Sequence, residues 1–196
     1  MTPTANPSPV VPALAATPPT LLTAVEFMAR YENIHAELVK GVVKEYPMPG
    51  LEHGKICMTI GVLIYLHVKA HDLGHVMSND SSVQTGSNPD TVRGGYVIFY
   101  GYERLPRGNV PKGLAPVAPD LVVEVRSPSD RWNEIMVKAG EYLKVGVRAV
   151  VVLDPKTATA TVYRDDELQQ IFHNGDSLTL PDVLPGFSVA VSRLFE

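Results

Sequence analysis

Two short apolar runs separated by one amphipathic segment constrain this chain more than any other feature. The first is Leu121-Val122-Val123-Glu124-Val125 and the second is Ala149-Val150-Val151-Val152-Leu153. Runs of Val and Leu with no turn formers read as strands buried on both faces, spanning residues 120–126 and 148–153. Residues 130–145 between them have the helical period. Ile135, Ala139, Tyr142 and Leu143 fall on one stripe, while Glu134, Glu141 and Lys144 fall on the water side. Two buried strands joined by one helix make a right-handed βαβ crossover with the strands parallel. Ser127-Pro128-Ser129-Asp130 ends the first strand and offers N-cap residues for the helix, and Gly146 is placed to close it.

Glu124 interrupts the first run. Side chains alternate along a strand, so Asp120, Val122, Glu124 and Arg126 share one face and Leu121, Val123 and Val125 the other. A carboxylate inside such a strand is costly unless it is paired, protonated or bound to a metal. The residues leave two alternatives open. Glu124 and Arg126 form a structural ion pair, or the acid and base two positions apart point into one site. Lys138 lies at the margin of the helical stripe, one turn from Ile135 and from Tyr142. It either snorkels to water or reaches that site.

The rest of the chain adds strands around this unit. Residues 1–19 are rich in Pro, Thr and Ala and read as a disordered tail, leaving one domain over 20–196. Thr23 with Glu26 forms a capping box ahead of a short helix reaching Tyr31. Residues 36–46 read as a hairpin turning at Lys40-Gly41, with Leu38 and Val42 facing the core and Glu37 opening its first strand. Residues 53–71 form a long apolar helix, capped near Gly74, that must be buried on much of its surface, one option being a dimer interface. Strands follow at 75–85, with a break near Asn79, and at 95–100. A Pro- and Gly-containing loop leads from there to the central strand. Short strands at 159–164 and 168–172 and turn chemistry at 183–187 complete the chain. The whole is an α/β (α+β) arrangement, a mixed sheet with a central βαβ crossover and flanking helices.

Charge and cysteine content narrow the functional classes. With 17 Lys and Arg against 21 Asp and Glu, the net charge is −4, so any contact with nucleic acid must come from a local basic patch. The single Cys57 rules out an internal disulfide framework and a cysteine-rich zinc site, and it fits a reducing cytoplasm. No apolar run reaches the length of a membrane span, and there is no basic start to a secretory signal.

Pro119-Asp120-Leu121-Val122-Val123-Glu124-Val125-Arg126-Ser127-Pro128-Ser129-Asp130 resembles the signature of the Uma-type restriction endonucleases, a bacterial branch of the PD-(D/E)XK nuclease superfamily. The resemblance runs through residues 22–195. Ala36-Glu37-Leu38-Val39-Lys40-Gly41 resembles the family's early Glu-bearing hairpin, and His53-Gly54 the pair that opens its long helix. Lys138 with Glu141-Tyr142-Leu143 and Gly146-Val147 matches the helix after the signature, and Leu184-Pro185-Gly186-Phe187 matches the C-terminal end. It implies a restriction-endonuclease-like fold and Mg²⁺-dependent cleavage of DNA, in which carboxylates hold the metal and a cation stabilises developing charge. By the same resemblance Glu124 is the metal ligand, Lys138 or Arg126 the catalytic cation and Glu37 a secondary metal-binding acid; strand alternation adds Asp120 as a further acid on the Glu124 face, roughly 13 Å along the strand and too far to complete a normal site. One departure is prominent. Where the family has Pro-Asp before an apolar strand, this chain has Gly95-Tyr96, so Tyr96 stands in the position of a metal-binding Asp. A neutral phenol is a poor ligand for a hard cation. The chain is therefore expected to be a weak nuclease, a degenerate relative, or a non-enzymatic dimeric interaction or nucleic-acid-binding module on the same fold.

Overall fold

A computed structural model describes residues 20–128 and 130–196; the tail expected over 1–19 and the N-cap candidate Ser129 lie outside the described residues. Three helices, α1 (Ala24–Tyr31), α2 (Leu51–His71) and α3 (Trp132–Lys144), accompany ten strands. These are β1 (Ala36–Val39), β2 (Val42–Glu45), β3 (Gly74–Gly86), β4 (Thr91–Gly101), β5 (Leu121–Val125), β6 (Ala149–Asp154), β7 (Thr159–Tyr163), β8 (Gln170–Phe172), β9 (Ser177–Leu180) and β10 (Leu184–Ala190). A 3₁₀ turn at Val191–Leu194 ends the fold. The mixed α+β class expected from the sequence is the one observed.

The crossover organises the sheet as the apolar runs require. β5 and β6 pair in parallel from Leu121 opposite Ala149 to Val125 opposite Leu153, with α3 between them in the chain. All residues of both strands are buried. Antiparallel neighbours extend the sheet as β2-β1-β4-β5-β6-β7-β8, and β3 pairs with β4. Val97, Phe99, Leu121, Val123 and Val125 face α2 and the separate β9–β10 hairpin. Ile98, Val122, Val150 and Val152 face α3 through Ile135, Ala139 and Tyr142. The β9–β10 hairpin was not legible as strands because Pro185-Gly186 falls inside β10.

Local chemistry explains the boundaries. The Thr23–Glu26 capping box forms, with Thr23 N–H donating to Glu26 Oε2 at 2.9 Å and Glu26 N–H to Thr23 Oγ1 at 3.2 Å. α2 ends on Asp72 in the left-handed conformation rather than at Gly74, which opens β3. Only the stripe His53, Ile56, Ile60, Ile64 and Val68 of α2 is buried, so Met58, Tyr65 and Leu66 stay exposed. The expectation that Val42 faces the core is corrected. It is 48% exposed, while Leu38 is fully buried. At α3 the N-cap is Arg131, with no side-chain cap, because Asp130 turns back to accept from the Ser127 N–H at 2.7 Å. No described helix is long and apolar enough to cross a membrane.

Candidate functional site

The site lies where the sheet forks. β3 pairs with β4 opposite Val92 and again opposite Val97, Ile98 and Phe99. β1 also pairs at Val92, and β5 also pairs at Val97, Ile98 and Phe99. A strand has two edges, so β1 and β5 share the edge opposite β3 and diverge between these points. Arg93, Gly94, Gly95 and Tyr96 span the gap. Buried backbone groups need partners, and here side chains provide them. Gly94 N–H donates to Glu37 Oε1 at 3.1 Å. The Gly94 carbonyl accepts from the Tyr142 hydroxyl at 3.2 Å and from Lys138 Nζ at 3.4 Å.

Three residues singled out in the sequence meet in this fork. Lys138 Nζ, reaching in from α3, is 2.9 Å from Glu37 Oε1 on β1 and 3.0 Å from Glu124 Oε1 on β5. Tyr142 donates to the same Glu124 oxygen at 2.9 Å. Glu37 Oε2 accepts from the Tyr46 hydroxyl at 2.8 Å and from Arg93 Nη1 at 2.9 Å. Arg93 then grips Glu141 with two bonds, Nε to Oε2 at 2.7 Å and Nη2 to Oε1 at 3.1 Å. Glu141, expected on the water side of α3, is thus drawn to the sheet by the arginine.

The ion pairs set protonation. Burial pushes the Glu37 carboxyl up, but Lys138 and Arg93 outweigh it and hold the group down at about 2. Glu124 goes the other way. Its burial outweighs the pull of Lys138, and Glu37 adds like-charge repulsion, so its carboxyl is raised. Burial alone would strip the Lys138 proton, yet Glu124, with Glu37, keeps its affinity above that of an ordinary lysine. Burial also pushes up the Tyr142 and Tyr96 phenols, which stay neutral.

The two remaining candidates stand outside this cluster. Asp120, at the other end of β5, accepts from the Gly101 N–H at 2.7 Å and faces Arg104 at 3.1 Å and Arg148 at 3.5 Å. Arg126 forms no pair with Glu124. Its Nη1 bonds Asp154 Oδ2 at 3.0 Å and its guanidinium lies over Trp132, 5.1 Å from the ring centroid. The strand position two after the acid therefore serves the end of β6. Tyr96 sits half-buried in the fork with its ring edge against His53, centroids 4.5 Å apart, and His53 Nε2 lies 3.0 Å from the Val125 carbonyl oxygen. Asp90, also at some remove, accepts from the Ala24 N–H at 2.7 Å and so secures α1.

Sequence reasoning missed Asp80. The register of β3 shifts between Ser78 and Ser81, where Asn79 and Asp80 adopt φ of 64° and 54°. Asn and Asp tolerate this left-handed conformation best among side-chain-bearing residues. The resulting bulge lays Asp80 against Gly94, where a Cβ would stand 3.1 Å from the Asp80 Cβ, and His35 Nε2 lies 3.3 Å from Asp80 Oδ2. An Asn-Asp pair inside a strand pattern was the available signal. Tyr142 was missed for a different reason, since its apolar ring satisfies the helix stripe and hides its hydroxyl's role.

A cleft of about 270 Å³ opens over the fork, lined by Glu37, Asp80, Gly94, Tyr96, Glu124 and Lys138 among others. A second hollow of about 420 Å³ between α2 and β3 adjoins it and shares Asp80 and Tyr96. No group of three or more His, Cys, Asp or Glu among the described residues is arranged to hold a metal ion. Glu37 is engaged at both oxygens, whereas Glu124 Oε2 takes no hydrogen bond among the described residues. Mg²⁺ is commonly held by one or two carboxylates, waters and substrate phosphates rather than by a closed protein cage. Glu124 Oε2 and the Asp80 carboxylate in the cleft wall are hard oxygen donors that fit such an open site.

Comparison with known proteins agrees with this architecture. The crystal structure of a putative nuclease belonging to DUF820 from Anabaena variabilis ATCC 29413 superposes with a TM-score of 0.78 at 21% identity, covering 89% of this chain and 97% of that one. At that identity the likeness establishes the fold. No curated protein matches. A family model matches residues 24–192, all of the described fold but its ends, and the chain belongs to that family, Uma2, whose description is "Putative restriction endonuclease".

Proposed function

We propose that this protein is a slow, Mg²⁺-dependent DNA endonuclease of the cytoplasm, with its active centre in the forked sheet at Glu124 and Lys138. The observation that carries this reading is the approach of Lys138 Nζ to Glu124 Oε1 at 3.0 Å in the wall of the cleft. An acid from a central strand and a cation are thereby assembled although the strand's own Arg126 is directed elsewhere. A family of this description implies a divalent metal, which when bound polarises the phosphate and acidifies an attacking water. The chain's residues supply the rest. Glu124 would hold that metal through Oε2, which takes no hydrogen bond among the described residues. Lys138 carries positive charge that offsets the charge building on the phosphate. Glu37 positions Lys138 from the other side, with Arg93 and Glu141 fixing Glu37 in turn. Tyr96 limits the rate, because its neutral phenol in the cleft is a weak donor to a hard cation.

The test is cleavage of plasmid and single-stranded DNA with Mg²⁺ or Mn²⁺ by wild type, Glu124→Ala and Tyr96→Asp. Slow wild-type cleavage that Glu124→Ala abolishes and Tyr96→Asp accelerates supports the proposal. Inactivity of all three folded proteins would overturn it.

One observation favours a second reading, a non-enzymatic homodimeric module. Leu51, Met58 and Leu66 of α2 are 95%, 68% and 58% exposed, beside a β3 strand that pairs only with β4 among the described strands. Sedimentation equilibrium showing a dimer, together with no salt-dependent DNA binding, would select it.

A further inference from the structure

We infer that Asp80, delivered by the β3 bulge, is the second carboxylate of the metal site and takes the place of the acid that Tyr96 lacks. This inference rests on the nuclease reading above and assigns one more residue to the same centre.

The geometry points to Asp80 through three linked features. First, the other carboxylates of the cleft wall are already bonded. Both Glu37 oxygens are engaged by Lys138, Gly94, Tyr46 and Arg93, Asp130 Oδ2 accepts from the Ser127 N–H at 2.7 Å, and Glu134 Oε1 faces Lys44 Nζ at 3.3 Å, while Asp80 meets the His35 ring at 3.3 Å. Second, Glu124 is almost fully buried, at 1% exposed, yet lines the cleft with an Oε2 that no described residue satisfies. That oxygen opens on the cleft and is free to take a ligand there. Third, Asp80 lines the same cleft from the neighbouring strand and sits at its junction with the hollow beside α2. Tyr96 lines both spaces as well.

The fork is built to admit Asp80. Gly94 has no side chain, and a Cβ there would crowd the Asp80 Cβ at 3.1 Å and its carbonyl oxygen at 3.3 Å. Gly95 is similarly closed to a side chain, since a Cβ would stand 2.6 Å from Ile98 Cγ2 and 3.2 Å from Val122 Cγ1. Gly94 thus lets β4 lie close under the bulge. The cation this arrangement takes is small, hard and divalent, held by two carboxylates and water with positions left for a phosphate.

Mn²⁺ binding without DNA tests this directly, read by loss of the free-ion signal in electron paramagnetic resonance. Wild type, Glu124→Gln, Asp80→Asn and Asp80→Asn/Tyr96→Asp are compared, with circular dichroism confirming that each is folded. Asn keeps the left-handed backbone at position 80 available. The expected result is saturable wild-type binding, weakened on the order of 10- to 100-fold in both single variants, since even outer-shell partners of a metal contribute that much. Tyr96→Asp in the Asp80→Asn background is expected to restore it. Binding lost in Glu124→Gln but unchanged in Asp80→Asn would overturn the role of Asp80 and leave the nuclease reading standing. Absence of wild-type binding, or binding indifferent to Glu124→Gln, would overturn the metal centre itself and this inference with it.

Discussion

Replacing Lys138 by Met removes a cation from between two buried carboxylates while leaving the stem to pack. The side chains of Lys138, Glu37 and Glu124 are 15%, 7% and 2% exposed, so solvent does little to replace the lost charge. Glu37 retains Arg93 and Tyr46, but Glu124 is left with the Tyr142 hydroxyl alone. Removing one partner of a buried pair costs roughly 3–5 kcal/mol. The variant can escape part of this by protonating Glu124. From the ordinary carboxylate value of 4.5, that costs about 5 kcal/mol at pH 8 but only about 1.4 kcal/mol at pH 5.5. The sign follows from the direction of the shift. Glu124 has a raised folded-state pKa, and losing Lys138 raises it further. The stability associated with its proton is full below the unfolded value and is lost as pH rises through the folded one. Urea unfolding is therefore expected to show a loss of about 3–5 kcal/mol at pH 8 that shrinks to about 1.4 kcal/mol or less at pH 5.5. Lys138→Met/Glu124→Gln, which removes both charges, is expected to recover most of the pH 8 loss. A loss equal at both pH values, or one below about 1 kcal/mol at pH 8, would refute the buried ion triad.

Glu37 makes the opposite pH signature. Its folded pKa is held down at about 2, so its contribution is present above the unfolded value of 4.5 and is lost as pH falls through about 2. That depression corresponds to about 3 kcal/mol, and the fall in urea midpoint between pH 5 and pH 2 should be markedly flatter in Glu37→Gln. A Gly95→Ala substitution is expected to cost about 1–3 kcal/mol by overpacking against the buried Ile98 and Val122, and a calorimetric midpoint equal to wild type would contradict the close approach of β4 there.

The sequence by itself determined the crossover. Apolar runs on either side of one amphipathic helix have a single way to bury both their faces, and β5-α3-β6 follows from that. It also determined that Glu124 required partners, because strand alternation puts it inside the sheet with Val122. What alternation could not decide was which partners. Arg126 shares that face, yet its guanidinium extends to Asp154, while Lys138 arrives from a helix whose rotation about the sheet no local pattern specifies. Glu141 shows the same dependence, since its position on the helix predicts water until Arg93 from β4 is brought beneath it. The fork between β1 and β5 belongs wholly to the tertiary structure. It arises because two strands far apart in sequence share one edge of β4, leaving Gly94 to be satisfied by side chains. Asp80 enters through a bulge whose Asn-Asp chemistry the sequence displays, but whose packing against Gly94 on the neighbouring strand belongs to the tertiary structure.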